Sequence, residues 1–241
     1  MPVVTMTGNI ASGAREAGQA AARLLGIDFV DQQLMVQAAQ RCGVTIGAVA
    51  EHDERRGGFR ERLAGLLRTF LERSAVSGVD PLTGSAGLEA ILSRTYADMA
   101  LEHEEPELSD QLYLKTMTVI IQELAARGDI VILGRGGQMI LRDMPEALHV
   151  LCIAPKKLRA YRLAERQSIG LDEALRLTVE SDRARAAYYR KFWKVELEDP
   201  KLYDLTIDTS RLSFEVAADL VATAARAKSA SASPGAEGQP T

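Results

Sequence analysis

A strand, a glycine loop and a helix occupy the first 25 residues. Val3-Val4-Thr5-Met6-Thr7 is a short apolar run rich in β-branched residues and reads as a buried strand. It leads straight into Gly8-Asn9-Ile10-Ala11-Ser12-Gly13, and from Ala14 to Leu25 the chain is alanine-rich with helical spacing. Gly26 stands where a helix stops, and Ile27-Asp28-Phe29-Val30-Asp31 reads as a second strand. This order predicts the opening of a parallel α/β sheet.

The alternation returns after Leu112. A helix is expected from about Leu112 to Ala126, then strands at Ile130–Leu133, His149–Ile153 and Tyr203–Asp208, and a closing helix from Phe214 to Ala227. Five apolar strands separated by helices give an α/β fold, a three-layer α/β/α domain with a parallel five-stranded sheet over residues 1–228. Residues 43–110 lack strand patterns and read as a helical insert, with helical pieces at Phe59–Glu72 and Leu88–Ala100. The Ser/Ala/Pro/Gly-rich residues 229–241 read as a disordered tail.

Composition excludes several functions. Twenty-nine basic and 33 acidic residues give a net charge of -4, which argues against charge-driven binding of DNA, RNA or an anionic membrane. No run approaches eighteen apolar residues, and the N-terminus carries no basic leader pattern. Cys42 and Cys152 are too far apart in sequence to suggest a metal cluster, and they suit a reducing compartment. A soluble, cytoplasmic protein is the expectation. His52, His103 and His149 are isolated, so zinc and Ser/His/Asp chemistry find no support.

Gly8 to Gly13 fits the first six positions of the phosphate loop G-x-x-x-x-G-K-[ST], with Ala14 and Arg15 at the Lys and hydroxyl positions. Glycines allow a tight turn that aims N–H groups and a helix N-terminus at an anionic phosphate. The same residues could form a plain strand-to-helix turn. A second signal is charge: Lys156 to Lys194 holds eleven Lys/Arg and five Asp/Glu, +6 within a chain of -4. That polarity suits a basic lid over a triphosphate, or a solvated helix face, the reading preferred for Arg166, Arg176, Arg190 and Lys191.

Read in order, Met6–Glu16, Gly26–Asp31, Ile130–Gly137, Arg159–Arg162, Asp182–Tyr189 and Tyr203–Ser210 resemble the cytidylate kinase-like family of P-loop nucleoside monophosphate kinases. Ser12-Gly13-Ala14-Arg15-Glu16 matches a divergent branch that lacks the loop lysine. The resemblance covers the two sheet-forming ends of the chain and not the insert.

The resemblance implies an ATP-dependent nucleotide kinase with Mg²⁺ as cofactor and CMP or dCMP as acceptor. Gly8, Asn9, Ala11, Ser12, Gly13, Ala14 and Arg15, with Arg162, would bind ATP. Arg15, Asp31, Arg159, Arg183 and Arg185 would supply the catalytic charge, and Asp31 would organise the metal. Asp31, Arg135 and Asp182 would bind the acceptor. For Asp31 a helix N-cap is the rival reading, and for Arg135 a surface arginine in a glycine turn. Asp208-Thr209-Ser210 matches the strand end near the donor adenine, and equally a strand-to-helix cap. Leu133 and Gln37 replace an Asp and an Arg of the family pattern. Two other readings stay open: a non-catalytic nucleotide sensor, and a kinase for another small acceptor selected by the insert.

Overall fold

The computed structural model describes residues 1–42, 58–59, 62–69, 85–100 and 108–231. Five parallel strands form one sheet in the order β2-β3-β1-β4-β5. They are β1 (Val3–Gly8), β2 (Asp28–Val30), β3 (Ile130–Leu133), β4 (Ala147–Ile153) and β5 (Leu205–Asp208). β1 is central, with Val3 opposite Ile130 on one side and Ala147 on the other. The strand order reverses around β1, so the carboxyl ends of β1, β3 and β4 open a crevice there.

Helices cover both faces. On one side α1 (Ala14–Leu25) packs against α9 (Phe214–Ser231) over Val4, Met6, Val131, Val150 and Ile207. Ala17, Ala21, Ala217, Ala218 and Ala225 are all buried there. Such small side chains let the helices sit close, and a larger residue would cost about 1–3 kcal/mol in overpacking. Gly18 belongs to the same logic, since a Cβ there would lie 3.0 Å from Met6 Cγ.

The other face carries α2 (Gln32–Cys42), α3 (Ser85–Ser93), α4 (Tyr96–Ala100), α5 (Leu108–Arg127) and α6 (Gly137–Ile140). Residues 62–69 are also helical. α7 (Lys156–Gln167) and α8 (Leu171–Trp193) form the basic hairpin, and a 3₁₀ turn (Pro200–Leu202) leads into β5. Val3, Ile130 and Ile132 point into this layer, so β1 and β3 alternate between two cores.

Helix boundaries depart from expectation in two informative places. Leu88–Ala100 is not one helix. Thr95 Oγ1 accepts the Asp98 N–H at 3.2 Å and Asp98 Oδ2 accepts the Thr95 N–H at 2.6 Å, a capping box that restarts the chain as α4. The Thr95 N–H also holds the Asp98 carboxyl below its ordinary range. α9 runs to Ser231 and takes in the first three residues assigned to the tail; residues 232–241 lie outside the described residues. Much of 43–110, including His52 and His103, does too. No helix among the described residues is long and apolar enough to cross a membrane.

His149 is buried in β4, where its Nδ1 and Thr5 Oγ1 share a 2.8 Å hydrogen bond. Burial depresses its pKa, although the Asp204 carboxylate opposes this. The folded state therefore prefers neutral imidazole. Stability should be full above the unfolded value of about 6.5 and fall as the pH drops below it. Urea unfolding at pH 7.5 and 5.5 should show the loss, and His149→Gln should remove part of it. An unchanged pH dependence in that variant would assign the effect elsewhere. Cys152 is buried farther along β4, its thiol pushed up to about 12 by burial.

Candidate active site

A cleft of about 270 Å³ lies over the carboxyl ends of β1, β2 and β3. One wall is the glycine loop from Gly8 to Arg15. Facing it are Leu133, Gly134, Arg135, Tyr96 and Arg185, while Asp31, Gln32 and Gln33 close one end. Three chain segments distant in sequence meet there because the parallel sheet puts every strand's exit on one edge.

The loop presents bare backbone at the start of α1. Gly13 takes φ +89° and caps α1 without a side chain, which leaves the first N–H groups of the helix uncapped. No other residue fits there, since a Cβ on Gly13 would lie 2.5 Å from Phe214 Cε1. Ala11 is also left-handed, at φ 57°. Ser12 Oγ is buried and has no hydrogen-bond partner among the described residues.

The loop is held from behind. Thr209 Oγ1, just past β5, donates to Ser12 O at 2.7 Å. Arg162 donates to Thr209 Oγ1 at 2.9 Å, to Thr209 O at 2.8 Å and to Ala11 O at 3.3 Å, and lies over the Phe214 ring. Arg159 is buried, donates to Ala154 O and Ile10 O, and grips Asp182 with two bonds of 2.8 Å. Charged bonds of this kind contribute about 1.5–3 kcal/mol each. Arg159, Arg162 and Asp182 therefore act here on the loop's backbone and on the α7–α8 hairpin.

The opposite wall comes from the turn Gly134-Arg135-Gly136, where all three residues are left-handed, at φ 76°, 58° and 71°. A Cβ on Gly136 would strike the Trp193 ring. A left-handed arginine costs on the order of 1 kcal/mol, and the surroundings fix it. Its N–H donates to Tyr96 Oη at 2.8 Å, and its Nη1 donates to Arg94 O at 2.8 Å and Tyr113 Oη at 3.0 Å. Arg135 is only 3% exposed, so the surface-arginine reading fails. Its Nη2 has no partner among the described residues, nor has Arg185 Nε. Both guanidinium groups flank the Tyr96 ring, 5.3 and 4.6 Å from its centroid. Both residues line the cleft opposite the glycine loop.

Asp31 fills the helix-cap reading and also holds Arg15, a partner not foreseen for it. Its Oδ1 accepts the Leu34 N–H at 2.8 Å, capping α2, and its Oδ2 pairs with the Arg15 guanidinium. Arg166 and Glu16 approach to 3.6 Å at the cleft rim.

Of the residues singled out from sequence, the structure brings Gly8 to Arg15, Asp31, Arg135 and Arg185 together around the cleft. Arg183 is exposed on α8 and does not line it. Gln37 lies outside, on a shallow groove with Gln40 and Ser93. Tyr188 and Tyr189 are core residues, as is the packing of Trp193 and Phe192 against them. Arg166, read as part of a solvated helix face, lines the cleft, and its spacing after Arg159 and Arg162 on one face of α7 was the available signal. Thr209, read as a strand end near the donor or a cap, bolts β5 to the loop. Tyr96 was missed, in a part of the insert where no pattern marked it.

The sequence profile of the cytidylate kinase-like family matches residues 3–211. The chain belongs to this family. Cytidylate kinase of Methanocaldococcus jannaschii is 32% identical over 104 residues, 42% of this chain and 58% of that protein. The match thus spans less than two-thirds of that relative's length. Cytidylate kinase of Aeropyrum pernix is 31% identical over 126 residues, 52% of this chain and 70% of that one. Among solved structures, an uncharacterised protein of Eubacterium ventriosum superposes with a TM-score of 0.60 at 14% identity, covering 94% of this chain and 99% of that one. That likeness concerns the fold.

Proposed function

We propose that this protein is an ATP-dependent phosphotransferase whose acceptor is a nucleoside monophosphate, CMP or dCMP foremost. The observation that carries the reading is one cleft with two anion-binding walls: the uncapped start of α1 on one side, and Arg135 and Arg185 with unused donors on the other. A donor triphosphate would lie along Gly8–Arg15. The acceptor phosphate would lie on Arg135 and Arg185, where two guanidinium groups oppose a phosphomonoester's negative charge.

Transfer breaks the bond from the γ-phosphorus to its bridging oxygen and forms one to an acceptor phosphate oxygen. That oxygen is already anionic, so no general base is required, and the protein's contribution is alignment and charge. The residues present do not compose a divalent-cation shell by themselves. Arg15 stands at the hydroxyl position, Leu133 replaces an acid, and both Asp31 oxygens are engaged. No trio of His, Cys, Asp or Glu among the described residues is placed to hold a metal. Mg²⁺ would arrive on the ATP phosphates with its waters.

The sensor reading draws on one specific observation, the loss of both the lysine and the hydroxyl at Ala14 and Arg15. Coupled ADP release with MgATP against CMP, dCMP, UMP, AMP and GMP decides between them. Turnover confined to pyrimidine monophosphates is the expected result. Silence with ATP still raising the melting temperature would favour the sensor or another acceptor. If ATP neither turns over nor stabilises, the loop is only a turn.

A further inference from the structure

We infer that Asp31 acts on the donor phosphates through Arg15, as the residue that positions its guanidinium, and not as a ligand of a divalent cation. The inference rests on the phosphotransferase reading above. Arg15 lies in the first turn of α1, at the motif position whose hydroxyl ordinarily meets Mg²⁺. Its side chain is 40% exposed, and a half-exposed arginine left to itself samples many rotamers. Here it is tethered by the Asp31 carboxylate, and it makes no other hydrogen bond among the described residues.

The tether is itself fixed. The Asp31 side chain is 9% exposed, follows β2 directly, and spends its other oxygen on the Leu34 N–H at 2.8 Å. A rigid carboxylate thus holds one nitrogen of the fork while the rest faces the cleft lined by Gly8 to Ala14. Ala14 brings no charge, so Arg15 is the cation that the loop itself carries. Arg166, the next cation along that rim, is turned towards Glu16. Asp31 is then a positioning residue, and its negative charge serves ATP binding indirectly.

This assignment predicts an effect of unexpected sign. A carboxylate beside a triphosphate repels it, so removing the charge should tighten ATP binding unless the carboxylate holds something the phosphate needs. The test is calorimetric titration of ATP in EDTA into wild type, R15A, D31N and the double variant, repeated with Mg²⁺. Asparagine caps helices as well as aspartate, so D31N keeps the start of α2, which thermal melting would verify.

In EDTA, R15A should bind ATP about 10-fold more weakly and D31N about 3- to 10-fold more weakly, with the double variant no worse than R15A, because the two residues act as one unit. D31N binding ATP equally or more tightly in EDTA overturns the inference. A loss in D31N that appears only with Mg²⁺ also overturns it, and makes Asp31 a cation ligand. Both of those results leave the phosphotransferase reading intact. Wild type that binds no ATP in either buffer overturns both together.

Discussion

Arg185→Ala should lower turnover by about 10²- to 10³-fold in the ATP-to-CMP assay, the range for losing one hydrogen-bond donor that stabilises charge in the transition state. Its melting temperature should fall by no more than about 4 °C, since its stack on the Tyr96 ring contributes about 0.5–1 kcal/mol. Arg183 supplies the internal control. It lies two residues earlier on α8, exposed and away from the cleft, so Arg183→Ala should change turnover less than about threefold, as surface substitutions do. Steady-state kinetics at saturating ATP separates the two. Equal losses would mean that the sum of charge on α8 matters and that the position of Arg185 does not.

Arg135→Ala should weaken acceptor binding about 100-fold while ATP affinity stays within about threefold, as expected for a charged bidentate contact removed from one wall of a two-walled site. The substitution also costs stability, because the Arg94 carbonyl and the Tyr113 hydroxyl lose a buried donor, at about 1–3 kcal/mol. Arg135→Lys separates the two effects. It restores the charge without the fork, so acceptor affinity should recover only in part. Isothermal titration of CMP and of ATP reads both quantities. Parallel losses for the two ligands would mark Arg135 as structural.

The sheet was legible from the sequence because a buried parallel strand is written as an unbroken apolar run. Ile130–Leu133 is found as expected, and β4 differs only by beginning two residues earlier, at Ala147. The glycine turn was legible because two glycines five apart stand between an apolar strand and a helix, a spacing that fits a plain turn equally well. Asp31 and Arg135 were legible through their place at strand ends. The arginines of the basic hairpin were harder, because a charged side chain on a helix reads the same whether it faces phosphate, backbone or water. Arg159 and Arg185 carry the same charge, yet one is spent on Asp182 and a loop carbonyl and the other points into the cleft. Tyr96 was hidden for another reason. Its position depends on the Thr95–Asp98 cap, which turns the chain out of α3, and on Gln32 Nε2 donating to the carbonyls of Leu92, Ser93 and Arg94. The Gln32 bonds are long-range and leave no periodic trace, and the Thr95–Asp98 cap is a single local pair.

The bonds from Arg159, Arg162 and Thr209 to the glycine loop also decide which half of the molecule can move during a reaction cycle. Swinging the basic hairpin outward would break the bonds of Arg159 to Ile10 O and of Arg162 to Ala11 O and Thr209, and so disturb the glycine loop beneath it. The glycine-loop side is therefore an anvil. The opposite wall is fastened differently: α3 and α4 lie in the apolar layer through Leu88, Leu92 and Met99, and add the side-chain bonds of Gln32 and Arg135.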